Sequence, residues 1–287
     1  MLENRYFFGI ILKLTVFSAH VMESSNSANL PPAPSHGVRS SKSLRPAASH
    51  GQRPKSDLPV YANYASNKLT VGAGVAIFHV ATSRVVVCYH TREKHWFLPK
   101  GRRDANEDTG AGAEREGYEE SGYRNRLLPI PLTHRQPIGN ASGNSSSAVH
   151  FVTEPVWTQL VPLTATSQYM LFWYIAETLP PDLETALNVK TDAGPMWQDQ
   201  PAYQYPVKYP FELTLAARQA LEPEGYEPVR HPNTGVDDEE ALYESKLLPI
   251  EKALELLRGT IQEDVIRTGW SAIRQRFDIE ASQSQTG

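Results

Sequence analysis

The sequence predicts a mixed fold of helices and strands, of the α/β or α+β class, and three observations lead to this assignment. Two apolar runs, LTVGAGVAIF and VVVCYH, flank a short polar turn and predict a β-hairpin. Two later segments, HFVTEPVWTQLVPL and SQYMLFWYIAETL, are rich in aromatic and branched residues and predict a second strand pair. An acidic helical segment lies between the two pairs, and EDVIRTGWSAIRQRF predicts an amphipathic helix near the C-terminus.

Length and composition allow one large domain or two small ones. The chain has 287 residues, and its 40% hydrophobic content can bury a core. A net charge of -4 shows no bias toward nucleic acid. The single cysteine, Cys88, lies in an apolar run and is expected to be a core residue in a reducing compartment. We therefore expect a cytoplasmic or nuclear protein without a nucleic-acid or membrane partner.

The N-terminal 57 residues differ in composition from the rest of the chain. Residues 1–22 contain an apolar stretch that Lys13 interrupts, so it is too short for a transmembrane helix, and a signal or anchor is the alternative. Residues 23–57 are rich in Ser, Pro, Ala and Gly and predict a disordered tail. We expect a domain over residues 58–281 with an irregular insertion at about 180–240, followed by a disordered C-terminus at 282–287.

The segments outside these elements predict further strands, helices and loops. RNRLLPIPL predicts a strand weakened by two prolines, and GNASGNSSS predicts a flexible loop. LTLAARQAL predicts a helix within the irregular insertion, and KLLPIEKALELL a strand, a turn and a helix. Trp173 and Tyr174 are expected in the core, with stacking on a purine ring as the alternative. The insertion is expected to form a lid or a partner surface, for which its tyrosines are suited: Tyr203, Tyr205 and Tyr209.

The segment over residues 101–123, GRRDANEDTGAGAEREGYEESGY, concentrates the acidic residues. Asp108 or Asn106 can cap the N-terminus of a helix, and Gly122 can end it in the left-handed conformation. The carboxylates of Glu116, Glu119 and Glu120 have i, i+3 and i+4 spacing, which places them on one helical face.

Three acids on one face favour the binding of a cation. Like charges at this spacing destabilise a bare helix by a few tenths of a kcal/mol per pair, on the order of 0.2–0.5. Ligands that are all oxygen atoms suit Mg²⁺ or Mn²⁺ and argue against zinc. Arg115 lies four residues before Glu119, and Glu107 at the helix entrance can reach back to Arg115. A solvated acidic helix without a ligand is the alternative.

This segment resembles the Nudix box: a glycine, five residues, Glu, seven residues, Arg-Glu, an aliphatic, any residue, Glu-Glu, any residue, Gly and a hydrophobic. All seven fixed positions match, and they are Gly101, Glu107, Arg115, Glu116, Glu119, Glu120 and Gly122, with Tyr123 as the final hydrophobic. Gly117 stands where the pattern has an aliphatic residue. Either the backbone approaches a neighbour closely at Gly117 or the helix is loosely packed.

The resemblance implies a Nudix fold, in which a mixed β-sheet is sandwiched between helices, and hydrolysis of a phosphoanhydride bond in a small-molecule nucleoside diphosphate-linked or polyphosphate substrate. It implies Mg²⁺ or Mn²⁺ as the cofactor. The implied metal ligands are the Gly101 carbonyl and the carboxylates of Glu116, Glu119 and Glu120. Glu119 is also the candidate base.

The resemblance gives the neighbouring residues supporting roles. Arg115 orients the carboxylates, and Glu107 holds Arg115. The phosphates of the substrate are expected to meet Lys100 and Arg102, with Arg103 as a weaker candidate. One further acid from outside the box is often recruited, and Glu240 or Glu244 is the candidate.

The run LPKG before the box resembles the branch of the family that acts on dinucleoside polyphosphates and diphosphoinositol polyphosphates, and we favour that branch. Sugar nucleotides, coenzymes and damaged nucleotides stay open as substrates. Two other functions are alternatives: a catalytically inactive binding module that keeps the fold, and an mRNA-decapping hydrolase. The second should show a strongly basic RNA-binding surface, which the net charge does not indicate.

Overall fold

The computed structural model describes residues 59–137, 151–188 and 203–285, which form ten strands and five helices. The strands are β1 Leu69–His79, β2 Arg84–His90, β3 His95–Phe97, β4 Lys100–Arg102, β5 Asn125–Leu127, β6 Ile130–Pro131, β7 Phe151–Val152, β8 Trp157–Thr164, β9 Ser167–Thr178 and β10 Tyr243–Pro249. The helices are α1 Thr109–Ser121, α2 Pro181–Asn188, α3 Leu215–Ala220, α4 Ile250–Leu256 and α5 Ile261–Ser284.

Eight of these strands form one mixed sheet. Its central order is β10-β2-β1-β9-β5, and β3, β4 and β8 pair with β2, β1 and β9 respectively. Strands β1 and β9 are parallel, whereas the other pairs of this sheet are antiparallel. Strands β6 and β7 form a separate two-stranded sheet. The two strand pairs predicted from the apolar runs, β1–β2 and β8–β9, are confirmed.

The sheet is covered on both faces, because alternate residues of its central strands enter two different hydrophobic clusters. From β1, Val75 and Ile77 pack in the cluster with α1, while Ala76 and Phe78 pack in the cluster with α4 and α5. This alternation is the two-residue period of a strand. The predicted fold class, a mixed sheet sandwiched between helices, is confirmed, and Cys88 is a buried core residue as expected.

Helix α5 closes one face of the sheet. Its N-cap, Thr260, accepts a hydrogen bond from the backbone N–H of Glu263, which satisfies one of the unpaired donors of the first turn. Val265, Ile266 and Ile273 are fully buried, and Trp270 and Phe277 pack partly buried against the same core. The amphipathic character predicted for this segment therefore produces the expected core contact.

The structure corrects three predictions about elements. PDLETALN, expected to be irregular, is helix α2; proline is tolerated in the first turn, and acidic residues are favourable there. RNRLLPIPL is two short strands, β5 and β6, rather than one. Helix α5 continues to Ser284, so residues 282–284 are helical and not a disordered end. The other domain limits stay predictions.

The described part of the insertion is fixed to the sheet by a buried ionic network. Glu177 on β9 lies 2.8 Å from Arg126 on β5 and 2.9 Å from Arg218 on α3. Arg218 in turn lies 2.8 Å from Glu222. Arg276 on α5 also holds this region, since its guanidinium donates to the carbonyls of Pro129 and Leu213. Helix α3 is the helix predicted within the insertion.

Some predictions lie outside the described residues: the tail over residues 1–57 with its apolar N-terminal segment, the loop GNASGNSSS, and residues 189–202 of the insertion. Across the three described ranges, no helix combines the length with the apolar character that crossing a bilayer requires.

Candidate metal centre and active site

Helix α1 has well-defined ends. The side chain of Asp108 accepts hydrogen bonds from the backbone N–H groups of Gly110 and Ala111, so Asp108 is the N-cap. Of the two candidates, Asn106 instead lies in the preceding loop with a φ of 68°. Gly122 ends the helix with a φ of 76°, the left-handed conformation that glycine adopts readily. The boundaries predicted for the acidic helix are confirmed.

Two glycines allow the loop before α1 to approach the helix and the sheet. A Cβ atom on Gly101 would overlap the carboxylate of Glu116, and a Cβ atom on Gly72 would overlap the Gly101 carbonyl and the Tyr169 hydroxyl. Tyr169 donates a hydrogen bond of 2.8 Å to that carbonyl oxygen.

Arg115 lies at the centre of an ionic network on one side of α1. Its Nε and Nη2 atoms donate to the two carboxylate oxygens of Glu107 at 2.8 and 2.9 Å. Its Nη1 atom donates to both Glu116, at 2.9 Å, and Glu119, at 2.7 Å. Its Nη2 atom also donates to the carbonyl of Arg102. The expected contact between Glu107 and Arg115 is therefore present, as a bidentate pair.

Three carboxylates converge beside this network. Donor atoms of Glu116, Glu120 and Glu240 all lie within 4.8 Å of one another. Glu116 and Glu120 are buried on α1, and Glu240 begins the short 3-10 turn before β10. The backbone N–H of Lys100 donates to Glu120 at 2.8 Å, and the backbone N–H of Val236 donates to Glu240 at 2.6 Å. Because all of the candidate ligand atoms in this cluster are oxygen atoms, the cluster fits a hard divalent cation.

The pKa values of these acids reflect their crowding. Burial, together with the charges of Glu120 and Glu119, raises the pKa of Glu116 well above its ordinary value although Arg115 opposes the shift. Burial and the charge of Glu240 raise the pKa of Glu120 to about 8. Burial raises the pKa of Glu240 to about 7. The cluster therefore favours the addition of positive charge, which a bound cation can supply as well as protons can.

The acids border a cavity of about 510 Å³. Lys100, Arg102 and Arg103 also line this cavity, as does Glu119. The cavity thus combines an acidic wall with cations on the loop before the helix. Lysine and arginine side chains in such positions are suited to phosphate oxygens.

The candidates from the sequence separate into two groups. Glu116 and Glu120 of the box come together with Glu240, whereas Glu244 is exposed on β10 and is not part of the cluster. Glu119 borders the cavity and binds Arg115, but the three converging carboxylates are those of Glu116, Glu120 and Glu240. Trp173 is fully buried and Tyr174 nearly so, which confirms them as core residues.

Gly117, which departs from the box pattern, is a site of close approach. A Cβ atom at this position would lie 2.6 Å from Nδ2 of Asn125 and 2.9 Å from Cγ1 of Val75. Asn125 is fully buried and donates from Nδ2 to the carbonyl of Glu114 on α1 at 2.9 Å. The helix is therefore not loose at Gly117, because the Asn125 side chain fills the space that an aliphatic residue would take.

Several residues that contact the site carry no local sequence signal. Tyr205 donates to Glu107 at 2.7 Å, and Thr234 donates to the Glu119 carbonyl at 2.9 Å. Glu239 accepts from His90 and from Arg92. All but His90 and Arg92 come from residues 203–240, far from the box in sequence. Because these residues are far from α1 along the chain, no local sequence periodicity predicts their contacts with it.

Comparisons with known proteins give similarities at the level of structure alone. No family model matches the sequence, and no curated protein does. A NUDIX-family hydrolase from Clostridium perfringens matches with a TM-score of 0.35 and 16% identity, over 72% of this chain and 97% of that one. A NUDIX hydrolase from Nitrosomonas europaea matches with a TM-score of 0.35 and 10% identity, over 74% and 90% of the two chains.

An Ap4A hydrolase from C. elegans, solved as a binary complex, matches with a TM-score of 0.31 and 12% identity, over 75% of this chain and 98% of that one. The first two of these similar structures are named as NUDIX hydrolases, and the third is named as an Ap4A hydrolase.

Proposed function

We propose that this protein is a Nudix-type pyrophosphohydrolase, which hydrolyses a phosphoanhydride bond in a nucleoside diphosphate-linked or polyphosphate substrate with Mg²⁺ or Mn²⁺. The observation that carries the proposal is the convergence of Glu116, Glu120 and Glu240 within 4.8 Å, beside a cavity that Lys100 and Arg102 also line. The resemblance of residues 101–123 to the Nudix box agrees with this geometry.

The residues of the cluster fit a divalent cation. The candidate ligand atoms are carboxylate oxygens of three residues, and the Gly101 carbonyl oxygen is a fourth candidate. Mg²⁺ and Mn²⁺ prefer such oxygen ligands. In our proposal Glu116, Glu120 and Glu240 hold the cation, and Glu119 has access to the same cavity as a further ligand. A bound cation of this kind neutralises phosphate oxygens and lowers the pKa of water.

Each neighbouring residue has a defined task in this proposal. Arg115 fixes the directions of Glu116 and Glu119 through Nη1, and Glu107 fixes Arg115 through two hydrogen bonds. Glu119 accepts a water proton as the general base, because its carboxylate borders the cavity.

The cations of the cavity favour a substrate with several phosphates. Lys100, Arg102 and Arg103 lie on or next to β4, and all three border the cavity. We propose that they bind the phosphate groups on either side of the scissile bond. Dinucleoside polyphosphates and diphosphoinositol polyphosphates carry the dense charge that suits this arrangement, so we propose this class of substrate.

The order of α1 supports a working enzyme rather than an inactive binding module. Gly117 was the position at which the helix departs from the box pattern, and its backbone packs closely against Asn125 and Val75. The helix runs unbroken from Thr109 to Ser121 and carries its acids to one side.

The experiment that tests the proposal is a phosphate-release screen with Mg²⁺ across dinucleoside polyphosphates, diphosphoinositols, sugar nucleotides and capped RNA. Glu120→Gln is the matched variant, since it keeps the size of the side chain but removes its charge. We expect release from at least one phosphoanhydride substrate and loss of nearly all turnover in Glu120→Gln. Release that is unchanged in this variant would contradict the assigned site, and preference for capped RNA would favour the decapping alternative.

A further inference from the structure

We propose that the insertion is part of the active site, and that its residue Tyr205 is a positioning residue that acts on the metal-binding helix through Glu107. This inference rests on the proposed function for its catalytic meaning. The contacts that support it are independent of turnover, however, because they connect side chains and backbone atoms of this chain.

Tyr205 completes the set of donors around one carboxylate. Its hydroxyl donates a hydrogen bond of 2.7 Å to Oε1 of Glu107. The same oxygen accepts a hydrogen bond of 2.8 Å from Nε of Arg115. The other oxygen, Oε2, accepts from Nη2 of Arg115 at 2.9 Å and from the backbone N–H of Asp104 at 2.8 Å. Each oxygen of Glu107 therefore has two donors, so the rotation of the carboxylate is fixed.

The orientation of the Glu107 carboxylate determines the position of the Arg115 guanidinium, and therefore its contacts with the acids of α1. Arg115 uses Nη1 alone to contact Glu116 and Glu119. The guanidinium is planar, so the two nitrogens held by Glu107 determine where Nη1 lies. A shift of Glu107 would move the contacts to both acids together. Tyr205 provides its hydrogen bond as a neutral donor, so it fixes Glu107 without competing with Arg115 as a counter-charge.

The same segment contacts α1 at further points. Thr234 donates to the Glu119 carbonyl at 2.9 Å, and the backbone N–H of His231 donates to the Gly122 carbonyl at 2.8 Å. The ring of Tyr203 packs at 4.8 Å from that of Tyr205 and at 5.7 Å from that of Tyr118 on α1. The segment ends at Glu240, in the acidic cluster. Residues 203–240 thus contact the loop before α1, at Glu107, and the last turn of the helix, at Tyr118 and Glu119.

Tyr203 supplies a matched control for the hydroxyl of Tyr205. Both residues lie in the same segment, and their rings pack edge to face. Within the described part of the chain, the buried hydroxyl of Tyr203 has no hydrogen-bond partner. Tyr205→Phe and Tyr203→Phe therefore remove the same atom from neighbouring rings, and only the first removes a contact to Glu107.

The experiment measures Mn²⁺ binding to the metal-free full chain by the electron paramagnetic resonance signal of free Mn²⁺, together with kcat and KM for the best substrate of the screen. We expect Tyr205→Phe to weaken Mn²⁺ binding by about 3–10-fold, less than the about 10–100-fold typical for direct partners of a metal ligand. We expect kcat to fall by a similar factor, KM to stay unchanged, and Tyr203→Phe to match the wild type.

A double variant tests the route of the effect. If Tyr205 acts through Glu107, Tyr205→Phe added to Glu107→Gln should produce no further loss of Mn²⁺ affinity. Equal Mn²⁺ affinity in Tyr205→Phe and the wild type, an equal loss in Tyr203→Phe, or additive losses in the double variant would each overturn the inference. If the wild type binds Mn²⁺ but hydrolyses none of the substrates, the proposed function fails, and the affinities still decide the role of Tyr205.

Discussion

Two regions of this protein bury carboxylates, and they differ in the balance of charge. In the first, which we call the balanced region, one carboxylate, that of Glu177 on β9, is contacted by two arginines, Arg126 and Arg218. At the candidate active site the ratio of carboxylates to arginines is reversed, since one arginine, Arg115, is shared by Glu107, Glu116 and Glu119. In the first arrangement the arginines neutralise the carboxylate, whereas in the second the carboxylates outnumber the arginine that they share. The difference agrees with our proposal that the second region binds a cation, whereas the first region holds the fold together.

The first prediction, with the largest expected effect, concerns the balanced region. Glu177→Gln leaves Arg126 and Arg218 buried without their shared carboxylate. Breaking a buried ion pair in this way costs about 3–5 kcal/mol. We expect the free energy of unfolding, measured in denaturant, to fall by that amount.

Glu255→Gln is the control for this prediction, because Glu255 forms an exposed pair with Lys252 on α4, and exposed pairs contribute little. We expect this variant to match the wild type. A Glu177→Gln variant as stable as the wild type would contradict the view that this network holds the insertion to the sheet.

The second prediction separates the acid that joins the site from its neighbour on β10. Glu240 lies within 4.8 Å of Glu116 and Glu120, whereas Glu244 is exposed. We expect Glu240→Gln to lower kcat/KM and Mn²⁺ affinity by about 10–100-fold, the scale found for residues that support a metal site. Glu244→Gln should change neither quantity. Equal effects of the two substitutions would mean that Glu240 does not bind the cation.

The third prediction uses pH to probe the balanced region. His79 is buried near Arg218 and Arg84, and burial, followed by the charges of these arginines, lowers the pKa of His79 to about 4. The unfolded chain binds this proton near the ordinary pKa of about 6.5. Below that value the unfolded state binds more protons than the folded state, so stability falls as the pH drops from about 6.5 to about 4.

The measurement compares the wild type with His79→Gln by denaturant unfolding at pH 7 and pH 4.5. At about 1.4 kcal/mol per pKa unit, this pKa shift should lower the stability of the wild type by about 2 kcal/mol between the two pH values, and the variant should not show this loss. Subtracting the stability change of the variant from that of the wild type cancels the contributions of the other titrating groups. Parallel stability profiles would show that His79 titrates normally in the folded protein.

The sequence predicted those features that depend on local spacing. The strands follow from alternating apolar residues, and the shared face of Glu116 and Glu120 follows from their i, i+4 spacing. The choice between Glu240 and Glu244 needed the position of the turn before β10 relative to α1, which no local pattern contains. The contact of Tyr205 with Glu107 joins residues 98 positions apart, and it depends on how the insertion crosses the helix.

Helix α2 was missed for a different reason. Its segment, PDLETALN, begins with a proline after another proline, and the surrounding composition suggested an irregular chain. Proline at the start of a helix lacks only a hydrogen bond that the first turn does not form. The helix is then fixed by tertiary contacts, since Arg124 binds both Glu184 and Asn188. Propensity alone could not supply that information.

The last prediction concerns Gly117, for which a close approach and a loosely packed helix are both compatible with the sequence, and the structure shows the close approach. Substitution of an exposed helical glycine by alanine usually stabilises by about 1 kcal/mol. Gly117→Ala should instead destabilise by about 1 kcal/mol, because the new Cβ would lie 2.6 Å from Nδ2 of Asn125 and overpacking costs on the order of 1–3 kcal/mol.

A double-mutant cycle with Asn125→Ala tests whether Asn125 is the neighbour that matters. Asn125→Ala removes the atom nearest to the new Cβ but leaves Cγ1 of Val75 at 2.9 Å, so Gly117→Ala should destabilise less in that background than in the wild type. The coupling, measured from unfolding in denaturant, should be positive and at most about 1 kcal/mol. If Gly117→Ala stabilises the wild type instead, the helix has room at this position, and the absent aliphatic residue leaves a gap that Asn125 does not fill.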